Sequence, residues 1–289
     1  MKTGVILSIL FILIAAAGGG YFYYTQWHQP KEYARAIIPL YDRVGLSASS
    51  SGTEQLKNSL DYSGGAELLR NEKAKLKDVR SQISLVVPPK KFTNFHQDFI
   101  KSIDLAIRAT EEAELRADFF ANILVLKNEL SKIKESIEEQ QKNIRLVRDL
   151  RNSWLPHFSE TKAIARKAFS EKVLERKSTD KTIEEIRSRW DETEKGIDFI
   201  TSILNSMKAD LPVERISSVL KPEQNQKAEE GMRNVEKFLE FIGPKLTENS
   251  AYKIIDLQSY SDASQVELSE MSYRIYLEIE DLKRKYLEN

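Results

Sequence analysis

The stretch from Phe92 to Leu155 contains neither proline nor glycine, and its apolar residues recur every three or four positions. One seam runs Phe99, Ile103, Ala106, Thr110, Ala113, Ala117, Phe120, Leu124. A second takes over at Leu126, Leu130, Ile133, Ile137, Ile144, Val147 and Trp154. Such spacing places each set on one face of an α-helix. An unbroken helix of this length would extend roughly 95 Å. It needs partner helices along its sides and a bend if the chain is to bury its core, and this requirement constrains every other segment. The charged stretch from Lys134 to Arg151 suits a helical hairpin arm or a coiled coil, although Gln140 and Gln141 interrupt its seam.

The remaining segments supply those partners. Pro30–Val44 reads as a helix kinked or divided at Pro39. Gly45–Thr53 is rich in serine and glycine and reads as a loop. A short helix over Glu54–Tyr62 precedes Gly64 and Gly65, and Ala66–Val86 forms a stronger one ended by Pro88 and Pro89. That short proline joint predicts antiparallel pairing of Ala66–Val86 with the start of the long helix. Pro156 ends or bends the long element. The clearest periodicity follows in Ile183, Ile186, Trp190, Thr193, Ile197, Ile200, Leu204, Met207 and Leu211, a helix expected to pack back on the long one. Further helices start at Pro222, broken at Gly243-Pro244, and at Glu267, while Ala251–Tyr260 has no decisive pattern.

The amino end differs in kind. Residues Thr3 to Pro30 carry no Asp, Glu, Lys or Arg, and Val5–Ala17 is almost wholly apolar. Residues 5–24 are long enough to cross the hydrocarbon as a helix, with Tyr21–Tyr24 and Trp27 where an interfacial aromatic belt would lie. The competing reading is a cleaved signal peptide, with Lys2 as its charged start and Ala15–Ala17 as its small-residue cleavage site. The domain expectation is an anchor over residues 1–29, a juxtamembrane helix and flexible linker over 30–65, and a helical-bundle domain over 66–289.

Composition narrows the chemistry. Lys+Arg and Asp+Glu are 44 each, so the chain lacks the strong basic excess of a dedicated nucleic-acid binder. Without cysteine there are no disulfides and no thiolate metal ligands. His28, His96 and His157 fall in three segments with no metal-type spacing, and His96 reads as a structural hydrogen-bonding group at the edge of a core. The carboxylates Glu111, Glu112, Glu114, Glu138, Glu139, Glu184 and Glu185 read as solvated helix faces. The run Lys162, Arg166, Lys167, Lys172, Arg176, Lys177, Lys181 is interrupted by Glu171 and Glu175 and reads as a mixed surface rather than a polyanion site. The motifs HExxH, Glu-x-x-His, the phosphate-binding glycine loop and the nucleophile elbow are all lacking.

These observations lead to an all-α fold: an elongated antiparallel helical bundle or long helical hairpin behind an N-terminal transmembrane helix. The expected function is assembly, spacing or partner binding by a single-pass cell-envelope protein, not an enzyme, with no catalytic, cofactor or metal residues assigned and the C-terminal domain outside the cytoplasm. The expected partners are the lipid bilayer, through residues 5–24, and a protein or second copy through helical faces; no nucleic acid is expected. The alternatives are a sensory membrane domain signalling through a partner and a carboxylate-dependent hydrolase or metal enzyme.

Overall fold

In a computed structural model of the chain, the described residues are 20, 23–44, 60–140, 144–170, 181–255 and 263–288. Their regular structure is helical, with one isolated bridge between Leu146 and Pro212. Helix α1 is Gln29–Val44, preceded by a π turn at Tyr24–His28, and α2 is Tyr62–Leu85. After a 3₁₀ turn at Lys90–Phe92 comes α3, Thr93–Gln140. Then follow α4 (Val147–Ala168), α5 (Lys181–Ser206), the single turn α6 (Ile216–Val219), α7 (Pro222–Glu248), α8 (Ala251–Ile255) and α9 (Ala263–Tyr286). The all-helical bundle expected from periodicity is the fold that forms. The expected anchor over residues 5–24 lies almost wholly outside the described residues, as does the loop at Gly45–Thr53. Among the described helices none is long and apolar enough to cross a membrane.

The long helix stops earlier than its seam suggests. α3 has 48 residues, about 72 Å of helix, and ends at Gln140. Beyond the polar Gln140-Gln141 pair, the backbone bonds sideways. The Val147 N–H donates to the Leu211 carbonyl at 3.0 Å, and the Val213 N–H donates to the Arg145 carbonyl at 2.9 Å. Groups committed to another segment are withdrawn from an i→i−4 ladder, and α4 begins as a separate helix at Val147.

The contacts divide the chain into two units. Unit 1 combines Met1–Gly52, Leu68–Glu111 and Asp256–Asn289. Ile37 and Ile38 of α1, Val79 and Ile83 of α2, Phe99 and Ile103 of α3, and Ile275 and Ile279 of α9 share its core. The expected antiparallel α2–α3 pairing is present: Lys77 reaches Glu111 at 3.1 Å and Arg80 reaches Asp104 at 3.1 Å, so one strand of positions rises as the other falls. α1 and α9 thus share one core although they lie near opposite ends of the chain.

Unit 2 combines Thr53–Glu67 and Glu112–Ile255. Here α3 and α4 form an antiparallel hairpin, with Phe119 against Phe169 (ring centroids 5.8 Å) and Glu129 beside His157. The heptad residues Ile183, Ile186, Trp190, Thr193, Ile197, Ile200 and Leu204 are buried as their spacing requires. They pack on α7 and, less extensively, on α4. Gly196 of α5 meets Gly231 of α7 backbone to backbone, and Trp190 packs edge-on against Phe238 at 5.8 Å. Tyr62, at the start of α2, stacks on Phe120 and donates its hydroxyl to the Leu246 carbonyl at 2.7 Å. Asp61 caps α2 by accepting from the Gly64 N–H at 2.8 Å, so the helix runs through the two glycines expected to interrupt it.

Pro39, Pro156 and Pro244 likewise fail to end their helices. All three are exposed, and so are Arg35, Asn152 and Glu240, whose carbonyls lose the missing donor. Water can satisfy a carbonyl freed on that face. Gly243 also removes the Cβ that would crowd the ring of Pro244 in a helical conformation.

Candidate functional site

The described residues that most resemble a chemical site lie on the α3–α4 hairpin of unit 2. Glu129 occupies the buried seam of α3 between Leu126, Leu130 and Ile133, where its side chain is 9% exposed. One turn further along α3, the Lys132 ammonium donates to Glu129 Oε1. The other carboxylate oxygen, Oε2, is buried, accepts no hydrogen bond and lies 3.6 Å from His157 Nδ1. His157 sits on α4 with Glu160 one turn beyond it. Each of Glu129, His157 and Glu160 offers a ligand atom, and the three atoms lie within 4.8 Å of one another. Trp154 Nε1 and Thr161 Oγ1, one turn to either side of His157, are also buried without partners. The Lys132 pKa is raised, first by its hydrogen bond to Glu129 and then by the charges of Glu129 and Glu160.

One imidazole and two carboxylates form a donor set suited to a divalent transition ion. The spacing is loose. Ligand atoms in a tetrahedral zinc site stand about 3.4 Å apart, given bonds of about 2.1 Å. A cation would have to draw the three groups inward and to share Glu129 with the Lys132 ammonium on Oε1. As the groups stand, Lys132 supplies the positive charge, and the arrangement is an ion cluster built into a helical hairpin.

The other sequence candidates disperse. His96 is buried in unit 1, and its Nδ1 lies 3.2 Å from the Tyr33 hydroxyl, the structural hydrogen bond its position suggested. Burial pushes the His96 pKa down and the Tyr33 pKa up, which favours the neutral form of both groups, and the imidazole tautomer sets which of the two donates. His28 stacks on Tyr24 at 5.3 Å. Glu111 and Glu185 accept from Lys77 and Lys245, Glu112 and Glu184 are exposed, and Glu114 is half-buried. The side chains of Glu138 and Glu139 lie outside the described residues, as do Lys172, Arg176 and Lys177 of the basic run. Lys162 of that run is engaged by Asp198 at 2.5 Å and Glu194 at 3.9 Å. Sequence reasoning missed the Glu129 cluster. Its signal was a carboxylate inside an apolar seam together with His157 and Glu160 at helical spacing.

Compared with protein families, curated proteins and solved structures, the chain matches none of them.

Proposed function

We propose that this chain is a membrane-tethered helical protein of the cell envelope that works by binding. Residues 5–24 cross the bilayer once, and the helical units outside the cytoplasm hold a protein partner or a second copy through their faces. The observation that carries this reading is the junction between the uncharged amino segment and the fold. Tyr23, Tyr24 and Trp27 are 64%, 49% and 51% exposed on helical backbone immediately before α1. Three large aromatics facing solvent within five residues are unfavourable in water. They are favoured at the headgroup layer, where an apolar ring body and a polar edge are both accommodated.

The test is alkaline extraction combined with topology labelling in intact cells. The full chain remains in the membrane pellet, and a reporter placed after Tyr286 reacts with an impermeant reagent added outside. A freely soluble product overturns the tether. A reporter protected until the membrane is opened overturns the orientation.

A second reading, metal-dependent chemistry, is favoured by the Glu129, His157 and Glu160 constellation. Uptake of zinc or manganese that disappears in Glu129→Gln would support it, and failure of the purified chain to bind either ion would remove it.

A further inference from the structure

The end of unit 1 that carries Trp27 is assembled from three separated segments. Trp27 meets Tyr286, near the end of α9, edge-on at 6.2 Å. Phe92, at the close of the α2–α3 connection, meets the same Tyr286 ring at 6.3 Å. Lys91 binds these elements together: its ammonium donates to the Tyr286 hydroxyl at 2.7 Å and lies 5.0 and 5.1 Å from the Tyr286 and Phe92 ring centroids.

The connection itself is unusual for a surface loop. Its sequence is Val86-Val87-Pro88-Pro89-Lys90-Lys91, and it leaves apolar side chains in solvent. Leu85 is 81% exposed and Val87 87%, the two most exposed large apolar residues among those described. The basic groups at this end differ in how they are used. Arg284 and Lys285 are neutralised on Asp281, and Lys283 on Glu280 and Asp42. Among the described residues, Lys31, Lys90 and Lys91 pair with no carboxylate. Phe92 and Lys91 tie this connection to the aromatic end, the exposed Leu85 and Val87 stand six and four residues before Lys91, and the uncharged residues 3–22 precede Trp27 in the chain.

We propose that this end of unit 1 is a bilayer-docking surface. The Leu85–Lys91 connection dips its aliphatic side chains into the interface, and Lys31, Lys90 and Lys91 face anionic lipid headgroups. The proposal rests on the tether reading above, since a tether through residues 5–24 would bring this end to the membrane and hold it there. It adds a second point of attachment, so unit 1 sits on the lipid instead of swinging freely from its anchor. Each lysine near an anionic surface strengthens attachment roughly fivefold, and this contribution falls as salt rises.

The absence of cysteine makes the test direct. Single variants Val87→Cys, Leu10→Cys and Glu192→Cys of the full chain are labelled with a polarity-sensitive fluorophore. They are reconstituted into phosphatidylcholine vesicles with and without phosphatidylglycerol. Lipids carrying a quencher report contact with the bilayer. The expected result is strong quenching at Leu10, several-fold weaker but clear quenching at Val87 that increases with phosphatidylglycerol, and none at Glu192. Lys90→Glu lowers quenching at Val87 in the anionic vesicles and leaves Leu10 unchanged.

A Val87 label as water-exposed as the Glu192 label, with Leu10 in lipid, overturns the docking surface and leaves the tether standing. A water-exposed Leu10 label overturns the tether; quenching at Val87 would then show docking without it, and its absence would remove both. Shielding of Val87 in detergent that grows with protein concentration assigns the surface to a second copy and overturns the lipid assignment.

Discussion

Replacing Gly196 by alanine sets two known effects against each other where α5 crosses α7. Alanine is favoured over glycine inside a helix by about 1 kcal/mol, so propensity alone predicts stabilisation. The crossing opposes it. A Cβ on Gly196 would lie 2.6 Å from the Gly231 Cα, about 0.8 Å inside ordinary contact, and the obstructing atoms are backbone that cannot rotate away. The helices must separate by nearly that amount. A gap of 0.5–1 Å forfeits about a quarter to a half of each dispersion contact it opens. The contacts at stake include Trp190 on Phe238 and the buried Ile186, Ile197, Val235 and Ile242. Overpacking of this kind costs about 1–3 kcal/mol, and a backbone–backbone clash belongs at the upper end. The net expectation for Gly196→Ala is a loss of about 2 kcal/mol, equivalent to roughly 4–8 °C in Tm for a unit of this size. Gly231→Ala meets its nearest atoms at 3.0 Å, half the shortfall, and should lie within about 0.5 kcal/mol of the parent. The double variant should lose less than the sum, because the first alanine has already opened the crossing. Urea unfolding followed by helical circular dichroism and tryptophan fluorescence measures all three. A Gly196→Ala chain as stable as the parent, or strictly additive losses, would refute the close-crossing argument.

Other expectations are as direct. His96 has a lowered pKa in the fold, so the unfolded chain takes up its proton first as pH falls. Its contribution is fully present above the unfolded value near 6.5 and is lost as pH drops toward the folded one, and His96→Gln should flatten the pH–stability slope in that window. Tyr33→Phe removes the hydroxyl from His96 Nδ1 and should cost about 1–2 kcal/mol in urea unfolding above pH 7. Pro156→Ala restores a helical donor on an exposed face and should raise stability by about 2 kcal/mol, once the greater freedom of the unfolded chain is subtracted, read as a higher Tm. Glu129→Leu extends the seam of Leu126, Leu130 and Ile133 and frees the largely exposed Lys132 to enter water. It should leave stability unchanged or raise it by about 1–2 kcal/mol in thermal unfolding, whereas a large loss would mean that the ion cluster holds the hairpin together.

Much of the helical architecture could be read from periodicity, because a buried stripe needs only the helix repeat and a supply of leucine, isoleucine and small residues. The seams through Phe99–Phe120 and Ile183–Leu204 are buried as their spacing requires. Misplaced boundaries came from residues whose effect depends on the face they occupy. Proline is tolerated in a helix where water can reach the carbonyl it frees; at Pro39, Pro156 and Pro244 the residues carrying that carbonyl are exposed, and nothing local in the sequence states this. The break between α3 and α4 was legible only as a polar gap, since the bonds made by Arg145 and Val147 reach Val213 and Leu211. The Glu129 cluster and the Gly196–Gly231 crossing share this limitation. Each partner is visible on its own helix, but their meeting depends on the register between helices.

The order of the chain imposes a further requirement on unit 1. Its core joins α1, α2 and the beginning of α3 to α9, with Glu112–Ile255 of unit 2 inserted before the last element arrives. Closing that core brings together segments far apart in sequence, a slow step compared with forming the α3–α4 hairpin or the α5–α7 pair. The ion pairs that accompany closure, Lys101–Glu267 and Lys283–Asp42, join solvent-exposed or partly exposed groups and contribute little. The buried residues of α9 decide the balance. Met271, Ile275, Ile279 and Leu282 each contribute about 1.5–3 kcal/mol on burial, and until α9 docks, the apolar surface of Ile37, Ile38 and Ile103 lacks those partners. Holding α1 at a membrane surface would restrict one side of this search, so the tether proposed above, if present, would also favour completion of unit 1 by α9.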